Sequence, residues 1–371
     1  MIKLCVDFSG FKTPTELQTG VGINAILIVK RIIKDDDICC EVIVKKDIEE
    51  IVKKQLLGVK VLTLRTQDTQ GVVSLIKDRI IGPYKIIEKE KPDAVLIPRL
   101  SAFNIINKRF KYVAILHDLD FLENTSVRNL IRRLAIRVSI NKIKELVVIS
   151  HYIKEELLKW NPNIKTNINV IYNSITPPKF IDNSSHIRKY ILSVNSFKKS
   201  KNQITLLRAF NLIKDKIPHC LFLVGYGDKT DIQTYINSHN LNKRVKILQN
   251  LQDDEMHSIY SGADLFVNTS TFEGFGRTPV EAAMFKLPVI STKDTSLYEV
   301  TMGKVEYYEP SFDYKALAEK ILGILSGEII YTDERKEIIK SDYINRYSQE
   351  VIGMKYLNLI KSISAVKEMR E

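Results

Sequence analysis

Short, nearly unbroken apolar runs recur along the chain. They alternate with longer stretches in which apolar residues return every three or four positions. The first series of short runs is IKLCVDF (2–8), CCEVIVK (39–45), DAVLIPR (93–99), KYVAILHD (111–118), ELVVIS (145–150) and NINVIYN (167–173). A second series follows: YILSVNS (190–196), CLFLVGYG (220–227), RVKILQN (244–250), ADLFVNTS (263–270) and LPVIST (287–292). Helical patterns such as SLIKDRIIGPYKIIEKEK (74–91) and TLLRAFNLIKDK (205–216) separate most of them. Continuous apolar strands joined by helices predict parallel sheets covered on both faces. With right-handed crossovers this gives an α/β protein of two doubly wound domains.

The break between the series is SITPPKFIDNSSHIRKY (174–190), where Pro177, Pro178 and a polar run read as a linker. The expected division is 1–178 for the first domain and 187–345 for the second. The stretch 346–371 is a long helical pattern expected to cross back to the first domain. Two such domains facing a central cleft would place ligands at the carboxyl ends of their strands.

A chain of 371 residues suits two cores. No run approaches the ~20 apolar residues of a membrane span. The first residues, MIKLCVDF, read as a strand and not as a signal peptide, so the expected location is cytoplasmic. Cys5, Cys39, Cys40 and Cys220 form no C-x-x-C pair and read as buried reduced thiols. The histidines show no metal-ligand spacing. The net charge of +12, from 56 Lys+Arg against 44 Asp+Glu, suits an anionic partner such as a phosphorylated substrate or an anionic lipid surface. Nucleic acid is the weakest of the anionic partners, for want of any recognition motif, and none is expected.

The densest chemistry lies in TFEGFGRTPVEAA (271–283), which carries Glu273 and Glu281 on either side of Gly274 and Gly276. Pro279 reads as the first residue of a helix, with Thr278 as N-cap and Glu281 completing a capping box. Against that structural role stands a ligand-binding one. Glycines let the backbone approach a ligand, a helix N-terminus attracts phosphate, and carboxylates accept from sugar hydroxyls. Together these suit a nucleotide sugar. Lys198, Lys199 and Lys201 taken alone read as a solvated basic turn. His117 closes an apolar strand, a place where a structural histidine is the commoner case, and Asp118 beside it could orient its ring. Gly20 and Gly22 open the first helix. Gly225 and Gly227 end a strand and suit either a tight turn or nucleotide packing.

The stretch STFEGFGRTPVEAAMFKLPVIST (270–292) resembles the Glu-x7-Glu motif of retaining glycosyltransferases of GT-B architecture, in the family-four (glycosyl transferases group 1) class. VNSFKKSKNQITLLRAF, LFLVGYGD, RVKILQNLQDDEMHSIYSGADLFVNTS, VISHYIKEEL, VIYNSI, ILHDLDF and QTGVGIN resemble further segments of that class, in the expected order. The resemblance implies two Rossmann-like domains and no cofactor beyond the donor, a GDP-, UDP- or other NDP-sugar. It implies that Glu281 holds the ribose, that Glu273 contacts the transferred sugar, and that backbone N–H groups at Phe275 and Gly276 hold the donor. Lys201 would neutralise the diphosphate, helped by Lys198 or Lys199, because Ser200 stands where the class often has arginine. His117 would contact the donor sugar near the reacting carbon, and Gly20 and Gly22 would face the diphosphate. Arg277 replaces a residue that is usually apolar; it could add charge near the phosphates, point to solvent or an acceptor, or pair with a neighbouring acid.

The implied reaction is retaining, metal-independent hexosyl transfer to a glycan or lipid-linked acceptor in surface polysaccharide synthesis. No metal site is read in DLD (118–120), since Asp118 belongs to the strand end. An epimerase of the same architecture and a non-catalytic nucleotide-sugar-binding subunit are the alternatives; a phosphorylase lacks a motif. One segment stands outside this chemistry. VRNLIRRLAIRVSINKIKEL (127–146) is amphipathic and basic. It reads first as a packed helix with a solvated face, and second as a helix lying on an anionic bilayer.

Overall fold

The computed structural model describes residues 1–64, 81–102, 104–122, 125–179 and 189–365. Part of the expected helix at 74–91, most of the expected linker and the last six residues lie outside these. The chain divides into two compact units, 1–174 with 349–371, and 175–348. The expected boundaries at 178, 187 and 346 thus differ from the observed ones by a few residues or more. The first unit ends where Ser174 N–H donates to buried Asn24 Oδ1 at 2.7 Å, a contact between residues far apart in sequence.

The first unit holds a seven-stranded sheet with strands β1 (Ile2–Asp7), β2 (Ile38–Lys45), β3 (Lys60–Leu64), β4 (Ala94–Ile97), β5 (Tyr112–Leu116), β6 (Glu145–Val148) and β7 (Asn167–Val170). Their order is β3-β2-β1-β4-β5-β6-β7, and every pair is parallel. Strands β4, β5 and β6 are buried throughout, as continuous apolar runs require. The terminal helix Gln349–Ala365 packs on helix Gly20–Ile32, with Arg31 Nε 2.7 Å from Glu350 and Lys361 bridging Asp35 and Asp37.

The second unit holds six parallel strands: β8 (Tyr190–Val194), β9 (Cys220–Val224), β10 (Val245–Leu248), β11 (Leu265–Val267), β12 (Val289–Ser291) and β13 (Glu306–Tyr307). Their order is β10-β9-β8-β11-β12-β13. Helix Gln203–Ile213 covers one face with Leu206, Leu207, Phe210 and Ile213, which join Leu221, Leu223 and Val267 in one core. Two Rossmann-like α/β folds are therefore present. Edge strands β3 and β13 are the two absent from the apolar runs read in the sequence: β3 is half-buried along most of its length and β13 has only two residues. All four cysteines are free; Cys5 and Cys220 are buried, but Cys39 is exposed at the start of β2, contrary to the expectation of four buried thiols.

Both sheets start at an inner strand, wind outward one way and then the other. The reversal falls between β1 and β4 in the first unit and between β8 and β11 in the second. Loops leaving neighbouring strands on either side of such a switch point diverge and leave a crevice at the carboxyl ends.

Glycine is required where backbones meet. A Cβ on Gly225 would lie 1.9 Å from the Asn195 carbonyl oxygen, and one on Gly22 would lie 2.4 Å from Leu17. These contacts favour the tight-turn reading of Gly225. Gly225→Ala should destabilise the protein by about 3 kcal/mol, the upper range for overpacking. Urea denaturation checks this; an unchanged midpoint would mean that Asn195 has room to move.

Candidate functional site

In the second unit, Lys201 leaves β8 and Glu273 leaves β11, so they lie on either side of the switch point. Lys201 Nζ is 2.7 Å from Glu273 Oε1, with each side chain only 15% exposed. The ammonium also donates to the Phe272 carbonyl at 3.2 Å. The turn Lys199–Lys201 is fastened to the loop after β11: Thr269 Oγ1 donates to the Lys201 carbonyl at 2.9 Å, and Thr271 N–H donates to Ser200 at 2.8 Å. Asn202 follows in a left-handed conformation (φ 50°); its Nδ2 donates to the Ser311 carbonyl at 3.0 Å and its Oδ1 accepts from Thr205 Oγ1 at 2.9 Å. Lys201 is therefore a positioned cation. Lys198 and Lys199 are exposed.

The backbone of Glu273 is gripped by the loop after β12. Its N–H donates to Thr295 Oγ1 at 3.0 Å and its carbonyl accepts from Ser296 Oγ at 2.9 Å. Thr295 is itself left-handed, φ 55°, a conformation costly for a β-branched residue. The loop then turns at Gly276, whose φ is +79° and whose Cβ, if present, would lie 2.6 Å from Leu297 Cδ2. Both facts demand glycine at 276. Phe275 is buried and stands edge-on to Tyr347 at 5.5 Å, so its ring anchors the loop and only its main chain is left to face a ligand.

The capping box does not form. Because Gly276 turns the chain, the helix begins at Arg277, with Gly276 as its cap, and runs Arg277–Met284. Thr278 is not the N-cap and Pro279 is third in the helix, not first. Glu281 then lies four residues after Arg277, too far along to reach back to the first N–H groups. Instead Arg277 Nε and Nη2 both reach Glu281 Oε1, each at 3.1 Å. Pairing with a neighbouring acid is thus the outcome for Arg277, and its fork fixes the direction of the carboxylate. The cap residue, Gly276, offers no side chain to bond the first N–H groups of this helix. Burial, followed by the nearby Glu281 charge, pushes the Tyr260 hydroxyl well above its ordinary range.

In the first unit, Gly20 begins helix Gly20–Ile32, which Thr19 caps by accepting from Gly22 N–H at 3.4 Å. His117 follows β5 and is buried. Its Nε2 lies 2.8 Å from the Pro98 carbonyl oxygen. A carbonyl only accepts, so the proton is on Nε2 and Nδ1 carries a lone pair. Pro98 thus orients the ring, not Asp118, which is exposed. Nδ1 is buried without a hydrogen-bond partner. Burial, reinforced by the Arg99 charge, pulls His117 down from 6.5 to about 4. Arg99 pairs with Glu16 at 3.1 Å. Asp120 of the DLD stretch is held by Arg132 at 2.6 Å.

Sequence reasoning missed Thr295, Ser296, Asn202, Pro98 and Arg99. The Asn202 conformation and the Thr295 grip carry no local signal, since each depends on a contact formed only when the sheet assembles.

Residues 178–343 match the family model described as Glycosyl transferases group 1. The chain is 24% identical over 197 residues to the O-antigen chain mannosyltransferase RfbU of Salmonella typhimurium, a match covering 52% of this chain and 55% of that protein. It is 26% identical over 267 residues to N-acetyl-alpha-D-glucosaminyl L-malate synthase of Bacillus anthracis, covering 68% of each. Its fold is similar to that of Anabaena HepE solved in complex with UDP, with a TM-score of 0.71, 18% identity and coverage of 98% of this chain and 100% of that one. The chain thus has the two-domain Rossmann-like fold of HepE, and its residues 178–343 match the glycosyl transferases group 1 model.

Proposed function

We infer that the protein transfers a hexose, with retention, from a nucleotide-diphosphate sugar to a hydroxyl of a glycan or lipid-linked acceptor in surface polysaccharide synthesis. The observation that carries this reading is the Lys201–Glu273 pair in the loop that leads into the N-terminus of helix Arg277–Met284. A diphosphate needs a cation and N–H donors, and a sugar needs a fixed carboxylate. The kinship with an O-antigen mannosyltransferase and the likeness to a UDP-bound fold support the same substrate class.

In this reading Glu281, directed by Arg277, holds the ribose, and Glu273 holds hydroxyls of the hexose. The glycines at 274 and 276 bring main-chain N–H groups to the phosphates. Lys201 faces the diphosphate, where negative charge grows as the bond between the anomeric carbon and the phosphate oxygen breaks. A cation fixed beforehand favours that transition state over the ground state. The acceptor oxygen bonds to the anomeric carbon from the side the phosphate leaves, and its proton passes to the departing phosphate oxygen. No two facing carboxylates are needed, unlike retaining glycoside hydrolysis. The neutral His117, with its lone pair on Nδ1, suits acceptance of a hydrogen bond from a sugar hydroxyl.

Lys201→Ala should lower kcat/KM about 100-fold or more, the cost of losing one charge-stabilising contact, and Glu281→Ala should lower it through weakened donor binding. Lys201→Ala also strands a largely buried Glu273 carboxylate and should lower the melting temperature. Pairing Lys201→Met with Glu273→Gln should recover melting but not transfer. Full transfer by the single variants would refute the donor-site assignment. Transfer should also survive EDTA.

The matching nucleotide diphosphate, screened among GDP, UDP, ADP and dTDP, should raise the melting temperature, and Lys201→Ala should blunt that rise. No stabilisation by any of the four would argue against a nucleotide site. Conversion of the donor without acceptor would mark an epimerase instead.

For His117 the unfolded chain takes up a proton near pH 6.5, while the folded chain resists until about 4. Stability should therefore fall as pH drops from about 6.5 to about 4, by on the order of 3 kcal/mol from this residue. It should not respond to His117 above that window. Imidazole NMR shifts check this directly: titration of His117 near its ordinary value would contradict the buried neutral ring.

A further inference from the structure

Helix Val127–Ile140 has two sides of unequal fate. Asn129, Ile136, Ser139 and Ile140 pack inward. Val127, Leu130, Ile131, Leu134 and Val138 point outward, each between 53% and 74% exposed. At about 100° per residue these five fall within an arc of about 100° and run for about 17 Å along the helix. Single exposed apolar residues are ordinary, but a continuous stripe marks a surface that something covers.

The helix packs along one side, as expected, but its solvated side is apolar along the middle. Arg132 turns to Asp120 at 2.6 Å and to Asn129 at 3.2 Å. Arg133 donates to the carbonyls of Phe121 at 3.0 Å and Leu122 at 3.2 Å. These arginines serve the protein's own structure, and the apolar stripe is left facing out. Exposed Arg128 and Arg137 lie along its two edges, and Lys142 and Lys144 are exposed just past its end. Arg137 also lies 5.5 Å over the Trp160 ring.

We propose that this stripe docks on an anionic lipid bilayer, with the helix lying in the plane of the interface. Aliphatic side chains would enter the boundary between headgroups and acyl chains, while the flanking cations meet lipid phosphates. Charge decides between this occupant and a second copy of the chain. A two-fold contact through the stripe would bring each basic rim against its own image, between molecules of net charge +12. An anionic bilayer supplies the missing counter-charge. Among the described residues no helix is long and apolar enough to cross a membrane, so the contact is one of lying on the surface. The inference stands apart from sugar transfer, because it rests on a different unit and needs only binding to test.

The test is co-sedimentation of the full chain with vesicles of equimolar phosphatidylcholine and phosphatidylglycerol, and with phosphatidylcholine alone. The wild type should sediment with the anionic vesicles only, at physiological salt. Ile131→Asp with Leu134→Asp should weaken partitioning at least about tenfold, with the melting temperature unchanged because both side chains are exposed. Arg128→Glu with Lys142→Glu should weaken it similarly through charge alone. Three results would overturn the proposal: no sedimentation of the wild type, equal sedimentation with neutral vesicles, or undiminished binding by the Asp variant. Light scattering that shows a dimer abolished by the Asp substitutions, without vesicle binding, would assign the stripe to a second copy.

Discussion

Both sheets reverse direction beside their first strand, and that reversal is the constraint on which the candidate site depends. Helices that follow β8 and β11 leave toward opposite sides, so the loops before them open a crevice. Lys201 and Glu273 occupy those two loops. The register of β8 against β11 sets where both loops begin, and so how the two side chains meet. The 2.7 Å pair is thus a property of the sheet as much as of the two side chains.

Around that pair the protein invests in rigidity. Main-chain groups of residues 200, 201 and 273 are each held by hydroxyls or amides from another loop. Two non-glycine residues, Asn202 and Thr295, accept left-handed backbones in the process. Such strain persists only where the surroundings over-determine it. A site held this firmly before a ligand arrives loses little freedom on binding, which favours electrostatic assistance over induced rearrangement in this unit.

Much of the fold was legible because buried parallel strands leave nearly continuous apolar runs, as in β4, β5 and β6. The half-exposed β3 and the two-residue β13 leave no such trace. At the site, the residue types were readable but their partners were not. Whether the helix begins at Arg277 or Pro279 turns on one dihedral of Gly276, and the stretch offers no local way to tell its two glycines apart. That single turn decides whether Glu281 caps a helix or receives an arginine. His117 could be placed at a strand end, but its partner Pro98 ends a different strand. For Val127–Ile140, periodicity revealed an amphipathic helix without saying which face would turn inward.

The first unit is assembled from two separated pieces of chain, and this has a consequence during synthesis. Residues 175–348 are made before Gln349–Ala365 exists. Until then, the surface around Arg31 that later receives Gly353 lacks its cover, as do the sites for buried Ile352, Tyr356 and Ile360. The N-terminal half therefore stays unfinished until the last segment of chain has been made, whereas the second unit is continuous in sequence.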